Sequence, residues 1–263
     1  MNGTPRPVAL VTGASGGIGS ELARELARDG HDLVLSARNA APLERLAAEL
    51  QAAGAIATIV TADLAKPGGA AALAQNIAAH GLAIDVLVNN AGFGAAGRFD
   101  RIDAARTSEL VQVNVVALTE LTRLLLPGMI ARGRGKLLLV ASVAGFSPGP
   151  QMAAYFASKA YVLSLGEALA YELKGTGVTV TTLCPGPTDT AFFAVAGADD
   201  TTMARRFRRL MPAPVVARLG YRALVAGRHV IVTGLVNKIL ALAGRFAPRR
   251  FTLPFTNMLM SRK

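Results

Sequence analysis

Short runs of aliphatic and β-branched residues alternate along the chain with longer stretches in which leucine and alanine recur every three or four positions. A run that is apolar throughout suits a strand buried on both faces, and the wider spacing suits a helix with one buried stripe. Val8–Thr12 reads as the first strand and residues 18–29 as the first helix, closed by Gly30. Residues 32–37 follow as a strand. Residues 41–53 form a helix, with Leu43, Leu46 and Leu50 on one face and Gly54 after it. The alternation continues with a strand at 55–61, a helix at 69–79, a strand at 86–89 and a long helix at 104–131. A strand at 136–141, a helix at 153–174 and strands at 178–184 and 230–233 complete it. Apolar strands separated by helices predict an α/β fold, a parallel sheet of about seven strands covered on both faces. No repeat or low-complexity linker divides the chain, so a single domain is expected over 1–234, with an extension over 235–263.

Composition narrows this picture. Of the 263 residues 52% are hydrophobic, which excludes disorder for the chain as a whole. The single Cys184 excludes an internal disulfide framework, and His31, His80 and His229 are too scattered for metal-ligand spacing. A reducing, cytoplasmic setting is expected. Residues 1–7 suggest neither a signal nor a transit peptide, and no stretch approaches the roughly 18 uninterrupted apolar residues of a membrane span.

Charge is unevenly placed. The net charge is +11, yet 13 of the 28 Lys and Arg, and none of the 17 Asp and Glu, fall within residues 205–263. The remainder holds 15 basic and 17 acidic residues, close to neutral. A tail of this kind suits an anionic partner, or it is a basic, solubilising surface. No zinc-finger ligands or interleaved aromatic platform accompany it, so nucleic acid is not expected. Within it Leu235, Ile239, Leu242 and Phe246 form one stripe, with Lys238 and Arg245 on another. That segment predicts an amphipathic helix, folded back over its own domain or a partner subunit, or laid on an anionic lipid surface.

Directly after the first strand stands Thr12-Gly-Ala-Ser-Gly-Gly-Ile-Gly19. Glycines between a strand and a helix permit a tight turn and close approach of backbone to a pyrophosphate, with the helix N-terminus facing the anion. The spacing Gly13, Gly17, Gly19 is not the G-x-G-x-x-G form. The same run contains Gly13-Ala-Ser15-Gly-Gly17, which matches the nucleophile elbow of serine hydrolases. Against a hydrolase stand the position of Ser15 after the first strand and the lack of a histidine in an evident site.

Tyr155 and Lys159 lie one turn apart on a predicted helix, on the same face. A neighbouring ammonium is expected to lower the phenol's pKa and fit it to donate a proton to a forming alkoxide. Ser142, at the end of the fifth strand, is placed to donate a hydrogen bond to the same oxygen. At the end of the second strand Ser36-Ala37-Arg38 carries a base where an NAD site usually has an acid, so Arg38 is expected to grip the 2′-phosphate of NADP(H).

Taken in order, the glycine run, Asp63-Leu64, Asn89-Asn-Ala-Gly92, Asn114, Ser142, Tyr155-Phe-Ala-Ser-Lys159 and Pro185-Gly-Pro-Thr-Asp-Thr190 resemble the short-chain dehydrogenase/reductases from about Val8 to Thr190. The likeness is to their NADP-dependent keto-reductase branch. It implies a Rossmann fold, doubly wound, and an oxidoreductase with Asn114, Ser142, Tyr155 and Lys159 as its catalytic set. Asn114 is implied to hold a water linking the lysine to solvent. Cofactor contacts are implied for Gly13, Ser15, Gly17, Ile18, Gly19, Arg38, Asp63 and Leu64. Asn90, Ala91 and Gly92 would lie under the adenosine half, Thr190 would touch the nicotinamide amide, and Pro185, Gly186 and Thr188 would complete the site together with Tyr155 and Lys159. Gly16 departs from the pattern, since many NADP-using relatives carry a second basic residue there. Homodimers or homotetramers are usual in the family.

Phe93, Phe146, Met152, Phe192 and Phe193 are expected to line a pocket for a hydrophobic ketone, beneath a lid over 191–211 that ends in Arg205-Arg-Phe-Arg-Arg-Leu210. Those arginines equally suit an acyl thioester carrier, so a 3-oxoacyl substrate stays open. A non-catalytic nucleotide-binding protein of the same fold is the alternative of another class.

Overall fold

The structure is a computed structural model, and it describes residues 6–202 and 210–261. Seven strands form one parallel sheet: β1 (Val8–Thr12), β2 (Asp32–Ser36), β3 (Ala57–Ile59), β4 (Ile84–Asn89), β5 (Gly135–Val140), β6 (Val178–Cys184) and β9 (Val230–Val232). Their order across the sheet is β3-β2-β1-β4-β5-β6-β9. The chain winds outward from β1 in one direction and, from β4, in the other. That reversal opens a crevice beyond the carboxyl ends of β1 and β4, where ligands bind in such sheets.

Both faces are covered because both are apolar. On one face α1 (Gly17–Arg28) and α2 (Ala40–Ala52) press Leu22, Leu26, Leu43 and Leu46 onto the sheet. On the other, α3 (Gly69–Ala79), α4 (Ala104–Val111), α5 (Leu118–Ala131) and α6 (Ala153–Glu172) carry core residues such as Leu73, Ile77, Leu121 and Val162. β3 is shorter than the seven residues expected. It is an edge strand and pairs only Ala57 to Ile59 with Leu33 to Leu35 of β2.

The long helix expected over 104–131 is continuous but not uniform, for Gln112–Ala117 is a π-helical segment between α4 and α5. By length and composition alone Ala104–Ala131 would suffice to cross a membrane. Its inner face is instead packed into the sheet layer through Leu110, Val113, Leu118 and Leu121.

Beyond β6, besides the strand at 230 and the amphipathic helix at 235 that the sequence predicts, come elements that its pattern did not announce. A two-stranded ribbon pairs β7 (Thr188–Asp189) with β8 (Met211–Pro212), and α7 (Phe192–Ala196) lies between them in the chain. Of the expected lid, 203–209 lie outside the described residues. α8 (Ala213–Val225) buries Val216, Ala217 and Leu224 beside α1, and its Gly220 lets Leu183 approach so closely that a Cβ there would stand 2.7 Å from Leu183 Cδ2. The tail forms two helices, α9 (Leu235–Phe246) and α10 (Arg249–Met260), joined at Ala247-Pro248. The stretch after 234 folds back over its own domain, one of the arrangements expected for it, since Gly244 lies against the Phe146 backbone and Thr256 Oγ1 donates to Pro148 O at 3.1 Å.

Candidate active site

The glycine turn is held from beneath by β4. Thr12 Oγ1 donates to Val88 O (3.2 Å) and accepts from the backbone N–H groups of Asn90 and Ala91, both at 3.1 Å. The Asn90 side chain donates to Thr12 O (3.0 Å) and Gly13 O (3.1 Å). Gly13 has φ +64° and no room for a side chain, since a Cβ would meet Asn90 and Ala91 within 3 Å. At Gly19 a Cβ would collide with Gly13 O and with Asn90 Nδ2. These glycines let the first turn of α1 close over the end of β1, while Ser15 and Gly16 stand exposed above it with open space beyond Gly16. Asn90 was expected under the adenosine half, and its side chain is what fastens this turn.

Arg38 emerges next to that turn. Ala14 N–H donates to Ser36 O (3.2 Å) and Ala62 N–H to Ala37 O (3.1 Å), so the end of β2 is stitched between the glycine loop and the segment carrying Asp63. Arg38 is exposed and has no ion pair among the described residues. Asp63 Oδ1 accepts from Ala65 N–H at 3.1 Å, whereas the Leu64 side chain turns into the core instead of toward the crevice.

Ser142 follows β5, where pairing with β6 holds it beside Pro185. Val143 N–H donates to Pro185 O at 2.9 Å, and Ser142 Oγ accepts from Ala144 N–H at 3.1 Å. Tyr155 lies in the first turn of α6, buried, with the Ser142 side chain close enough to its hydroxyl to affect its pKa. One turn on, Lys159 Nζ donates to Val140 O at 2.8 Å and stands 5.9 Å from the centre of the Tyr155 ring.

The electrostatics correct the expectation that Lys159 lowers the phenol's pKa. Burial pushes Tyr155 up to about 12, with the Ser142 side chain acting the other way. Burial also pulls Lys159 down to about 8, opposed by Cys184. Loss of water disfavours both charged forms, and it is the largest influence on each group.

Asn114 lies in the π-helical segment, fully buried, and its amide is occupied by protein. Its Oδ1 accepts from Phe93 N–H (3.1 Å), and its Nδ2 donates to Phe93 O (3.0 Å) and Ser158 Oγ (3.0 Å). It thus ties the loop after β4 to α6. Gly92 lies between, where a Cβ would stand 3.0 Å from Asn114 Oδ1 and 3.4 Å from Lys159 Nζ.

Part of this set lines one cavity of about 460 Å³, while Gly13, Gly19, Arg38, Asp63, Leu64, Ala91 and Asn114 do not. Ser142, Tyr155 and Lys159 line it, as do Ser15, Gly17, Ile18, Asn90, Gly92, Pro185, Gly186, Thr188 and Thr190. Thr190 lies against the glycine turn, its Cγ2 3.0 Å from where a Gly17 Cβ would be. Phe93, Met152, Phe192 and Phe193 supply apolar wall, with Phe192 and Tyr155 ring centres 5.1 Å apart. Phe146 does not line the cavity, because it packs into the core with its backbone against Gly244. Sequence reasoning missed the part of the wall that comes from the tail: Leu240, Ala243 and Gly244 of α9, and Thr252, Phe255, Thr256, Leu259 and Met260 of α10. A second cleft, about 670 Å³, is lined by Arg98, Arg101 and Arg106 and by residues of α7, and it contains none of Ser142, Tyr155 or Lys159.

The cradle fits a dinucleotide: glycines where a Cβ would obstruct, a helix N-terminus above them, and a free guanidinium at the far end. Comparison with known proteins agrees. The short chain dehydrogenase family profile matches residues 7–201, and the chain belongs to that family. It is 37% identical over 177 residues to the ketoacyl reductase HetN of a Nostoc species, a match covering 67% of this chain and 62% of HetN's length. Among solved structures, a short-chain dehydrogenase from Sphingobium yanoikuyae in complex with NADPH superposes with a TM-score of 0.81 at 33% identity, covering 90% of this chain and 92% of that one. A bulky-bulky ketone specific alcohol dehydrogenase from Comamonas testosteroni gives 0.77 at 29% identity, with 88% of each chain covered. The chain spans less than two thirds of HetN's length, and the family to which it belongs is one of oxidoreductases that use a nicotinamide cofactor.

Proposed function

We propose that the protein reduces a hydrophobic ketone with NADPH, using Tyr155 as proton donor. The observation that carries this reading is the cavity itself, in which Ser142, Tyr155 and Lys159 are the polar groups at one end of a wall built largely from Phe93, Met152, Phe192, Phe193 and the tail. When bound, the cofactor supplies a hydride to the carbonyl carbon. The Ser142 hydroxyl donates a hydrogen bond to the carbonyl oxygen and holds it beside Tyr155. Tyr155, with its pKa raised to about 12, keeps its proton at neutral pH and gives it to that oxygen as negative charge develops there. Ketone plus hydride plus proton gives the alcohol. Lys159, whose ammonium is held at Val140 O, stands near enough to stabilise the phenolate that remains.

The choice of NADPH rests on Arg38, exposed at the end of β2 and close to the glycine turn. A planar guanidinium pairs with a 2′-phosphate through two parallel hydrogen bonds, where a carboxylate would repel it. Arg38→Asp is expected to move the ratio of kcat/KM for NADPH over NADH toward NADH by about tenfold or more, the worth of one charge-assisted contact. An unchanged ratio would assign the choice to other residues.

A 3-oxoacyl thioester is the second reading, favoured by the likeness to a protein named as a ketoacyl reductase. Both are tested by following NADPH oxidation at its absorbance band with aryl, alicyclic and steroid-like ketones beside 3-oxoacyl thioesters. Turnover of the ketones with inert thioesters supports the first reading, and the opposite pattern replaces it with the second. Oxidation of NADPH by neither class, with cofactor binding intact, would favour the non-catalytic alternative.

A further inference from the structure

We propose that the outer face of α9 and α10 docks on an anionic phospholipid bilayer. This surface stands independently of the ketone reading, and its test measures binding, not turnover.

Nine of the nineteen exposed large apolar side chains among the described residues fall between Leu235 and Met258. Elsewhere such residues are scattered singly, which is ordinary. Here they cluster along two successive helices: Leu235, Ile239, Leu242 and Phe246 run along α9, with exposures of 61–74%, and Phe251 and Phe255 are exposed on α10. The inner faces of both helices are already used, with Ala241 and Gly244 against the body and Leu259 and Met260 in the core cluster around Tyr155. The apolar outer stripe is therefore surplus to the packing of the domain.

Charge selects what covers it. Lys238, Arg245, Arg249 and Arg250 are exposed on the same two helices, and no acidic residue occurs anywhere from 205 to 263. One carboxylate reaches the patch from another element, Glu167 of α6, whose Oε1 lies 3.5 Å from Arg245 Nη1. A second copy meeting this face about a two-fold axis would set these cations against their own equivalents, with like-charge repulsion opposing the contact. A membrane with anionic headgroups satisfies both features, taking the apolar side chains into the acyl boundary and the arginines at the phosphates. Arg250, stacked 4.8 Å over the Phe251 ring, joins the two kinds of contact in one place.

The position of the patch bears on the cavity. Phe255 is 45% exposed on the outer surface and also lines the active-site cavity, as does the exposed Ala243. The wall of that cavity and the docking face are built on the same two helices and meet at Ala243 and Phe255. Docking would hold the cavity within one helix thickness of the lipid.

Flotation of the full-length protein with vesicles tests this. Mixed phosphatidylglycerol and phosphatidylcholine should carry the protein upward, and phosphatidylcholine alone should not. Truncation is unsuitable because α9 and α10 wall the cavity, so exposed positions are changed instead. Ile239→Ser with Leu242→Ser, and separately Lys238→Gln with Arg250→Gln, should each weaken binding by about tenfold or more while the melting temperature stays within a degree or two of wild type. No binding to the mixed vesicles, equal binding to both compositions, or wild-type binding by both double variants would overturn the proposal. So would a dimer in size-exclusion chromatography that the Ile239→Ser, Leu242→Ser pair dissolves without any vesicle binding, since the face would then belong to a second copy.

Discussion

Tyr155→Phe is expected to lower kcat for ketone reduction by about 10²–10⁴, the worth of a positioned general acid, while leaving cofactor affinity nearly intact. The geometry makes this a clean substitution. The ring keeps its packing, edge-on to Phe156 with centres 6.2 Å apart and tilted against Phe192 at 5.1 Å. Removing the hydroxyl does not orphan Ser142, whose Oγ still accepts from Ala144 N–H and faces Pro185 O. The stability cost should stay near 0.5–1.5 kcal/mol, the net worth of one hydrogen bond. Steady-state rates, cofactor titration and a melting curve on the same preparation separate the possibilities. Activity retained at a tenth of wild type would remove Tyr155 from the role of acid, and a large fall in melting temperature would point to a structural function instead.

What the amino-acid pattern disclosed is what depends on local spacing. β1, the glycine turn and α1 are legible because only glycine allows the φ of +64° at Gly13 and the close contact at Gly19. Tyr155 and Lys159 are legible because a four-residue step on any helix puts two side chains on one face. Cooperative features were not. The π-helical segment around Asn114 leaves the apolar spacing of 104–131 unbroken, so nothing in the pattern marks it. α10 is a poor helix by propensity, with Thr252 and Thr256 and with Pro254 inside it, and it is held by burying Thr252, Thr256, Leu259 and Met260 along one stripe. Its contribution to the cavity follows from tertiary contact alone. The pKa directions belong to the same class, for spacing places a cation near a phenol but does not report that both are cut off from water.

Lys159→Met is expected to make the fold more stable at neutral pH while removing activity. Lys159 is buried, and desolvation pulls it from its ordinary 10.5 to about 8. At pH 7 the folded protein therefore carries a buried ammonium that the unfolded chain would hold in water at no such penalty. Between about pH 8 and 10.5 the unfolded state binds more protons than the folded one, so stability rises with pH across that window. The rise across the whole window is ~3 kcal/mol, since each tenfold loss of proton affinity is worth about 1.4 kcal/mol. Tyr155 acts in the opposite sense but later: its raised pKa makes the folded state hold its proton longer, so stability falls only above about pH 10. Methionine fills nearly the same volume and carries no charge, but it forfeits the bond to Val140 O, worth about 1 kcal/mol. The variant should thus be ahead of wild type by about 1–2 kcal/mol at pH 7, roughly 2–6 °C for a domain of this size, and should lose that lead by pH 10. Melting curves of the cofactor-free proteins at pH 7 and pH 10 measure it. An equal difference at both pH values would mean that Lys159 does not change protonation between them, and a variant less stable than wild type at pH 7 would mean that its hydrogen bond outweighs the burial of its charge.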